Sequence, residues 1–285
     1  MLQSYFSRMP QKIPQRLYED LEKILEKELP FSVQAYYPVK LLRKKLLNNR
    51  IVWVDKWPDF KVVVVSDDRH KDVSPQRIHC FCKDTHESSS LDSVLRLISD
   101  ELSNSLLMFG CRSSVVDDLI KSRGSSVRRV SPDAYMLTLP EENIISLPIP
   151  DDFKITNLKE HHLDTVVQEW PYSGVFSDSK EWIKEMIAVL PSVCIENKEG
   201  QPIAWVLQQD YGCIGMLQVK SEYKRAKLGS AVTMLLAQKL REEGSHIYSA
   251  INVENSQSLA FHEKNGFHYL SDFLIAFVNY GYNQT

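Results

Sequence analysis

Apolar positions recur at helical spacing from Arg16 to Leu29, where Leu17, Leu21, Ile24, Leu25 and Leu29 form one stripe. Pro30 closes that helix. The pattern then changes period. Ile51 to Val54 and Lys61 to Ser66 are runs rich in β-branched residues and read as strands, joined through Lys56-Trp57-Pro58-Asp59. Arg77 to Cys82 reads as a further strand, Leu91 to Leu102 as a helix and Ser105 to Phe109 as a short strand. Val115 to Ile120 suits a helix, and Val127 to Val130 and Tyr135 to Leu139 suit strands. Gly110 and Gly124 stand where elements are expected to end.

The stretch LPEENIISLPIPDD, from Leu139 to Asp152, holds three prolines and separates two patterns. It divides the chain into expected domains at 1–145 and 146–285. Beyond it a strand is predicted at Phe153 to Leu158, helices around His161 to Glu169 and Ser179 to Leu190, and strands at Ser192 to Glu196, Pro202 to Gln209 and Cys213 to Val219. A helix over Leu228 to Glu243 ends at Gly244, followed by a strand at His246 to Ile251, a helix at Ser256 to Lys264 and a last strand at Phe273 to Val278. This mixed order predicts an α/β class, a sheet sandwiched by helices. The front half alternates in a similar way, so a degenerate structural repeat of one module is an open alternative, although no residue-level repeat is visible.

One turn stands out chemically. Between the strand that ends at Val219 and the helix that begins at Leu228 lie Lys224, Arg225 and Lys227, closing on Gly229-Ser230. A solvated basic helix start is the plain explanation. Yet cations at a helix N-terminus oppose its dipole, whereas an anion there is held by free N–H groups. An anionic partner therefore accounts better for three cations in one turn.

Composition narrows the partners. The chain of 285 residues has a net charge of −3 and no basic face interleaved with aromatics, which argues against nucleic acid. No apolar run reaches membrane-spanning length, so no membrane partner is expected. Five cysteines without a CxxC pair suggest no disulfide framework and fit a reducing, intracellular compartment. Ser4, Ser7, Arg8, Lys12 and Arg16, with no acid among the first eighteen residues, are faintly like a mitochondrial presequence. Pro10 and Pro14 oppose the helix that such a segment needs, so cytoplasmic and mitochondrial locations both stay open. His79, Cys80 and Cys82 lack a second ligand group at zinc spacing, so no metal is expected. No Gly-x-Ser-x-Gly elbow appears, which argues against a covalent acyl-enzyme.

The strand, basic turn and helix, with NVENSQSLAFHEKNGF from Asn252 to Phe267, resemble the Gcn5-related N-acetyltransferase (GNAT) superfamily. Its turn follows Q/R-x-x-G-x-G/A. Here Lys224 stands for the first residue, Lys227 for the first glycine, and Gly229 is kept. More narrowly, VDKWPDFKVVVV (Val54 to Val65), LPSVCIENKEGQPIAWVL (Leu190 to Leu207) and the Ser221-Glu222-Tyr223 segment resemble glycine N-acyltransferase-like proteins. The resemblance implies a GNAT-type mixed sheet flanked by helices in the C-terminal domain, behind an N-terminal α/β domain. It also implies acyl-CoA or acetyl-CoA as co-substrate and a small-molecule amine such as glycine as acceptor.

Site residues carry over position by position. The main-chain N–H groups of Arg225, Ala226, Lys227, Leu228, Gly229 and Ser230, with the cations, would hold the pyrophosphate of coenzyme A. Leu217 and Val219 would face the pantetheine arm if the strand edge is open, one N–H polarising the thioester carbonyl. Glu222 matches the family's proposed general base, aided by a pKa raised on burial, though an exposed acid paired with Lys224 or Arg225 is an equal reading. His262 falls where many superfamily members place a tyrosine that protonates the thiolate; a packing histidine is the alternative. Asn255 either bonds the pantetheine or caps the helix after it. Trp170-Pro171-Tyr172-Ser173-Gly174 either frames the acceptor pocket or packs. Rival functions are an N-acetyltransferase for a protein or polyamine amine, and a non-catalytic acyl-CoA-binding module whose turn has decayed at Lys227.

Overall fold

The computed structural model describes residues 9–68, 75–102 and 105–281. Ser4, Ser7 and Arg8 of the basic opening stretch lie outside the described residues. The chain forms two compact units: Met1–Tyr135 with Asn252–Glu254 and Ser271–Thr285, and Met136–Ile251 with Asn255–Leu270.

The first unit begins with β1 (Gln11–Lys12), α1 (Tyr18–Glu26) and α2 (Val33–Arg43). It continues through β2 (Arg50–Val54), β3 (Val62–Asp67), β4 (Gln76–Cys82), α3 (Ser88–Glu101), β5 (Leu106–Arg112), α4 (Ser113–Arg123) and β6 (Val127–Arg129). Strands β1 to β4 pair antiparallel in order, and β4 pairs β5 in parallel. The sheet is mixed. The helix over Val33–Arg43 was not expected, because nearly all of it is buried and no amphipathic period shows; Pro38 lies inside it. Gly110 does not end an element. It sits inside β5 at φ +69, and the register against the last strand, β13 (His268–Tyr280), slips between Ala276 and Val278. That is a glycine bulge. The Gln34 side chain of α2 fills the space where a Cβ at Gly110 would stand.

After β7 (Ala134–Thr138), the second unit holds β8 (Lys154–Thr156), α5 (Leu163–Glu169), α6 (Ser179–Val189), β9 (Ser192–Glu196), β10 (Pro202–Gln208) and β11 (Ile214–Val219). It closes with α7 (Leu228–Glu242), β12 (Tyr248–Asn252) and α8 (Ser256–Lys264), leading into β13. Its four-stranded antiparallel sheet has the order β11-β10-β9-β8. Leu228, Val232, Leu236 and Leu240 recur every fourth residue of α7 and are buried. Gly244, at φ +65, ends that helix, with the Ser245 N–H donating back to the Leu240 carbonyl.

From β1 to β6 and from β8 to β13 the order is the same: strand, two helices, three strands, helix, strand, helix, strand. The degenerate repeat left open by the sequence is present as a repeat of architecture. Among the described residues no helix is long and apolar enough to cross a membrane.

Candidate active site

The chemistry-bearing turn is built by β11 and α7. β11 is an edge strand, paired only with β10. It is buried at Ile214 and half-buried from Gly215 to Val219. Its register against β10 slips, so that Trp205 faces Gln218 while Leu207 faces Gly215. The extra residue lies at Met216 and Leu217, and Met216 has φ 52, a backbone region that side chains other than Gly, Asn and Asp rarely occupy. A bulge of this kind turns main-chain groups away from the ladder. Leu217 and Val219 are therefore on an open edge, as the sequence reading required.

β12 leaves that edge free. The Ser249 hydroxyl donates to the Ile214 carbonyl at 3.2 Å, but no ladder joins β12 to β11 among the described residues. Cys213, at the same point, has its thiol pushed up to about 12 by burial.

At the end of β11 the Lys220 N–H donates to the Ile203 carbonyl at 2.9 Å, fixing where the turn departs. Ser221–Tyr223 form a single 3-10 turn, and Tyr223 packs edge-on against Phe153 at 5.8 Å. Arg225 and Lys227 both take positive φ, 72 and 58. Lys227 is left-handed at the N-cap of α7, a conformation that favours glycine. This explains why the superfamily pattern has a glycine there. A lysine tolerates the strain at a cost of about 1–2 kcal/mol, with its side chain exposed rather than folded into the turn.

The first main-chain bond inside α7 runs from the Ala231 N–H to the Lys227 carbonyl at 3.0 Å. The N–H groups of Leu228, Gly229 and Ser230 precede it and have no intrahelical acceptor. Lys224, Arg225, Ala226 and Lys227 are exposed beside them. None of the ion pairs between described residues involves these cations or Glu222. The turn thus gathers donors and positive charge without an internal anion. That arrangement fits a phosphate group.

The Cβ that Gly229 lacks would point inward, 3.3 Å from Val219 Cγ2 and 3.5 Å from Phe261 Cε2. The smallness of Gly229 lets α7 approach β11 and α8. Glu222 is exposed, so the burial expected around it is absent, and so is a pairing with Lys224 or Arg225.

His262 is buried, its ring edge-on to Phe267 at 4.8 Å and to Phe261 at 5.2 Å. Burial lowers its pKa and favours the neutral ring. Nδ1 lies 2.8 Å from the Ser258 carbonyl, which assigns the proton to Nδ1 and leaves Nε2 without one. A neutral ring in that tautomer packs well and has no N–H to offer a thiolate. Asn255 accepts from the Ser258 N–H at 3.0 Å and caps α8. Trp170 lies near-parallel to Phe176 with centroids 6.5 Å apart and is tilted on Trp182 at 5.6 Å, while Tyr172 and Val175 are exposed.

The sequence reading missed one link at this site. Gln218, just past the bulge, donates from Nε2 to Glu169 Oε2 at 2.9 Å, tying the end of α5 to β11. Only the fold brings residues 49 apart together. It also missed a cluster of His161, His162 and Glu196, whose donor atoms lie within 4.8 Å of one another. His162 Nδ1 accepts the Lys159 N–H, so Nε2 bears the proton and faces Glu196 Oε1 at 3.3 Å. Lys154 and Lys159 also approach Glu196, at 2.9 and 3.6 Å. Glu196 is thus the centre of an ion-pair network with Lys154 and Lys159.

The WPDF segment belongs to the first unit and holds a hairpin loop together. Asp55 Oδ1 accepts the N–H groups of Lys61 and Val62, both at 2.9 Å, and Trp57 stacks on Phe60 at 6.4 Å.

Residues 12–191 match the aralkyl acyl-CoA:amino acid N-acyltransferase family, and residues 194–274 match the FR47-like protein family. Similar proteins include a glycine N-acyltransferase of Bos taurus, 25% identical over 264 residues, covering 84% of this chain and 88% of the relative. A glycine N-phenylacetyltransferase of Bos taurus is also 25% identical, over 269 residues, with the same coverage. Among solved structures, a Drosophila protein superposes with a TM-score of 0.75 at 17% identity, covering 96% of this chain and 98% of that one. A tandem GNAT protein from the clavulanic acid biosynthesis pathway superposes with a TM-score of 0.58 at 9% identity, covering 97% and 99%. The first likeness shows a fold shared over nearly the whole chain, and the second identifies it as the GNAT fold in a two-domain arrangement.

Proposed function

Since the chain belongs to the aralkyl acyl-CoA:amino acid N-acyltransferase family, we propose that it moves an acyl group from acyl-CoA to the amine of a small amino acid such as glycine. It is an N-acyltransferase of the GNAT type, and acyl transfer to an amine is its reaction class. The single observation that best supports the site is the open, bulged β11 running directly into a helix start with three exposed, unpaired cations.

In this reading Lys224, Arg225 and Lys227 attract the phosphates, and the N–H groups from Arg225 to Ser230 orient them. The edge of β11 at Leu217 and Val219 pairs with the pantetheine amides, and an N–H turned outward at the bulge polarises the thioester carbonyl. The amine nitrogen attacks that carbon and releases a proton to solvent, the C–S bond breaks, and the thiolate leaves and takes a proton from solvent. Glu222 removes the proton of the acceptor's ammonium form, directly or through water. Asn255 and His262 support the site by capping and packing α8.

The test is an activity matrix of acyl-CoA donors against amine acceptors, with purified full chain. Turnover is expected with small amino acids. Turnover confined to protein or polyamine amines would redirect the assignment of the acceptor, and coenzyme A binding without turnover on any amine would make the protein a binding module.

A further inference from the structure

The two units share one element order, so β4, α3 and β5 stand where β11, α7 and β12 stand in the second unit. Resting on the acyl-CoA reading above, we infer that the chain holds a single acyl-CoA. The first unit's counterpart of the cleft is closed, and a buried carboxylate, that of Glu87, stands at its helix start.

The closure begins at the strands. β4 is paired on both sides, antiparallel to β3 and parallel to β5 from Gln76 opposite Leu106 to His79 opposite Phe109. It is buried along its whole length, whereas β11 is paired on one side and half-exposed over five residues. Past the last paired residues, the fork between β4 and β5 is filled by side chains. Cys80, Cys82 and Cys111 belong to one apolar core with Val94 of α3 and Val115 of α4. From Gln76 to His79 no edge of β4 is left for a pantetheine arm to pair with, and Cys80 to Cys82 beyond them are buried.

The helix start is closed as well. Glu87 is the N-cap residue of α3 and only 3% exposed. One carboxylate oxygen accepts from Lys61 Nζ at 2.8 Å and the other from the Ser90 hydroxyl at 3.0 Å. A carboxylate at this position supplies the negative charge that a helix N-terminus favours. A phosphate arriving there would meet a resident anion with its own cation already engaged. The turn from β4 to α3 adds Asp84 to Glu87 against Lys83, while the turn from β11 to α7 sets Lys220, Lys224, Arg225 and Lys227 against Glu222 alone. Opposite charge and opposite exposure distinguish two copies of one architecture.

Native mass spectrometry and titration calorimetry of the full chain with coenzyme A count the sites. One equivalent is expected. Reversing the three exposed cations together (Lys224→Glu, Arg225→Glu, Lys227→Glu) should weaken that equivalent by about tenfold or more, a loss of at least about 1.4 kcal/mol, leaving no residual site. Two equivalents in the wild type, or one equivalent of unchanged affinity in the folded triple variant, would overturn the inference while leaving acyl-CoA binding itself intact. A wild type that binds none would refute the acyl-CoA reading and the count together.

Discussion

Gly229, in the first turn of α7, lies so close to Val219, the last residue of β11, that an added Cβ would come within 3.3 Å of Val219 Cγ2. The contact couples the two elements that carry the proposed cofactor seat, so its first consequence is mechanical. Gly229→Val should overpack this junction and lower stability by about 1–3 kcal/mol. Coenzyme A affinity should fall with it, because the free N–H groups of α7 move off their positions. A second change, Val219→Ala, should recover part of both losses by returning the space. Melting curves and calorimetry on the single and double variants decide it: a Gly229→Val protein that melts and binds like the wild type removes Gly229 from the seat.

Acid should weaken the protein through its buried histidines. Burial lowers the pKa of His262, and of His162 and His246, below the ordinary value of 6.5. As the pH falls through 6.5 the unfolded chain takes up protons on these groups before the folded chain does. Stability is therefore full above that value and declines below it, by up to about 1.4 kcal/mol per pH unit for each such group. His262→Leu removes one titrating ring while keeping an apolar body between Phe261 and Phe267. Its melting temperature should fall less steeply between pH 7 and 5 than that of the wild type. Parallel slopes would mean that His262 is protonated equally well in the folded state.

Much of the second unit is legible in the sequence because its elements are half-buried and keep their periods. The four-residue recurrence from Leu228 to Leu240 and the glycine behind it mark α7 at both ends. What stays hidden depends on distant partners. α2 is buried on nearly every side, so its residues show no stripe, and Gly110 resembles a strand end until Gln34 is seen packed against it. The bulge at Met216 carries no Gly, Asn or Asp to announce its positive φ. β13 extends to thirteen residues, well beyond its apolar centre, because its later part, from Ser271 on, belongs to the first unit and pairs there with β5 and β6. At the site, the basic turn could be read from local residue types. The roles of Gly229, Asn255 and His262 turned on side-chain direction, which local spacing does not specify.

Glu222 stands exposed in the turn after β11, one residue beyond Ser221 and three before Arg225, whose left-handed backbone begins to shape the seat. Its position outside the core leaves it reachable by an acceptor approaching the open strand edge. An amino acid reaches that edge mostly as an ammonium ion at neutral pH, and its nitrogen cannot attack until a proton leaves. Replacing Glu222 by Gln keeps the shape and removes the base, while the cations and N–H groups that would hold the phosphates are untouched. The variant should bind coenzyme A normally and turn over about 10²–10⁴-fold more slowly. Raising the pH supplies free amine directly, so the deficit should shrink as the solution approaches the acceptor's own pKa. Steady-state rates of both proteins across pH, with affinity measured alongside, test the assignment. If Glu222→Gln keeps near-full activity at neutral pH, the proton leaves by another route and Glu222 is a surface carboxylate.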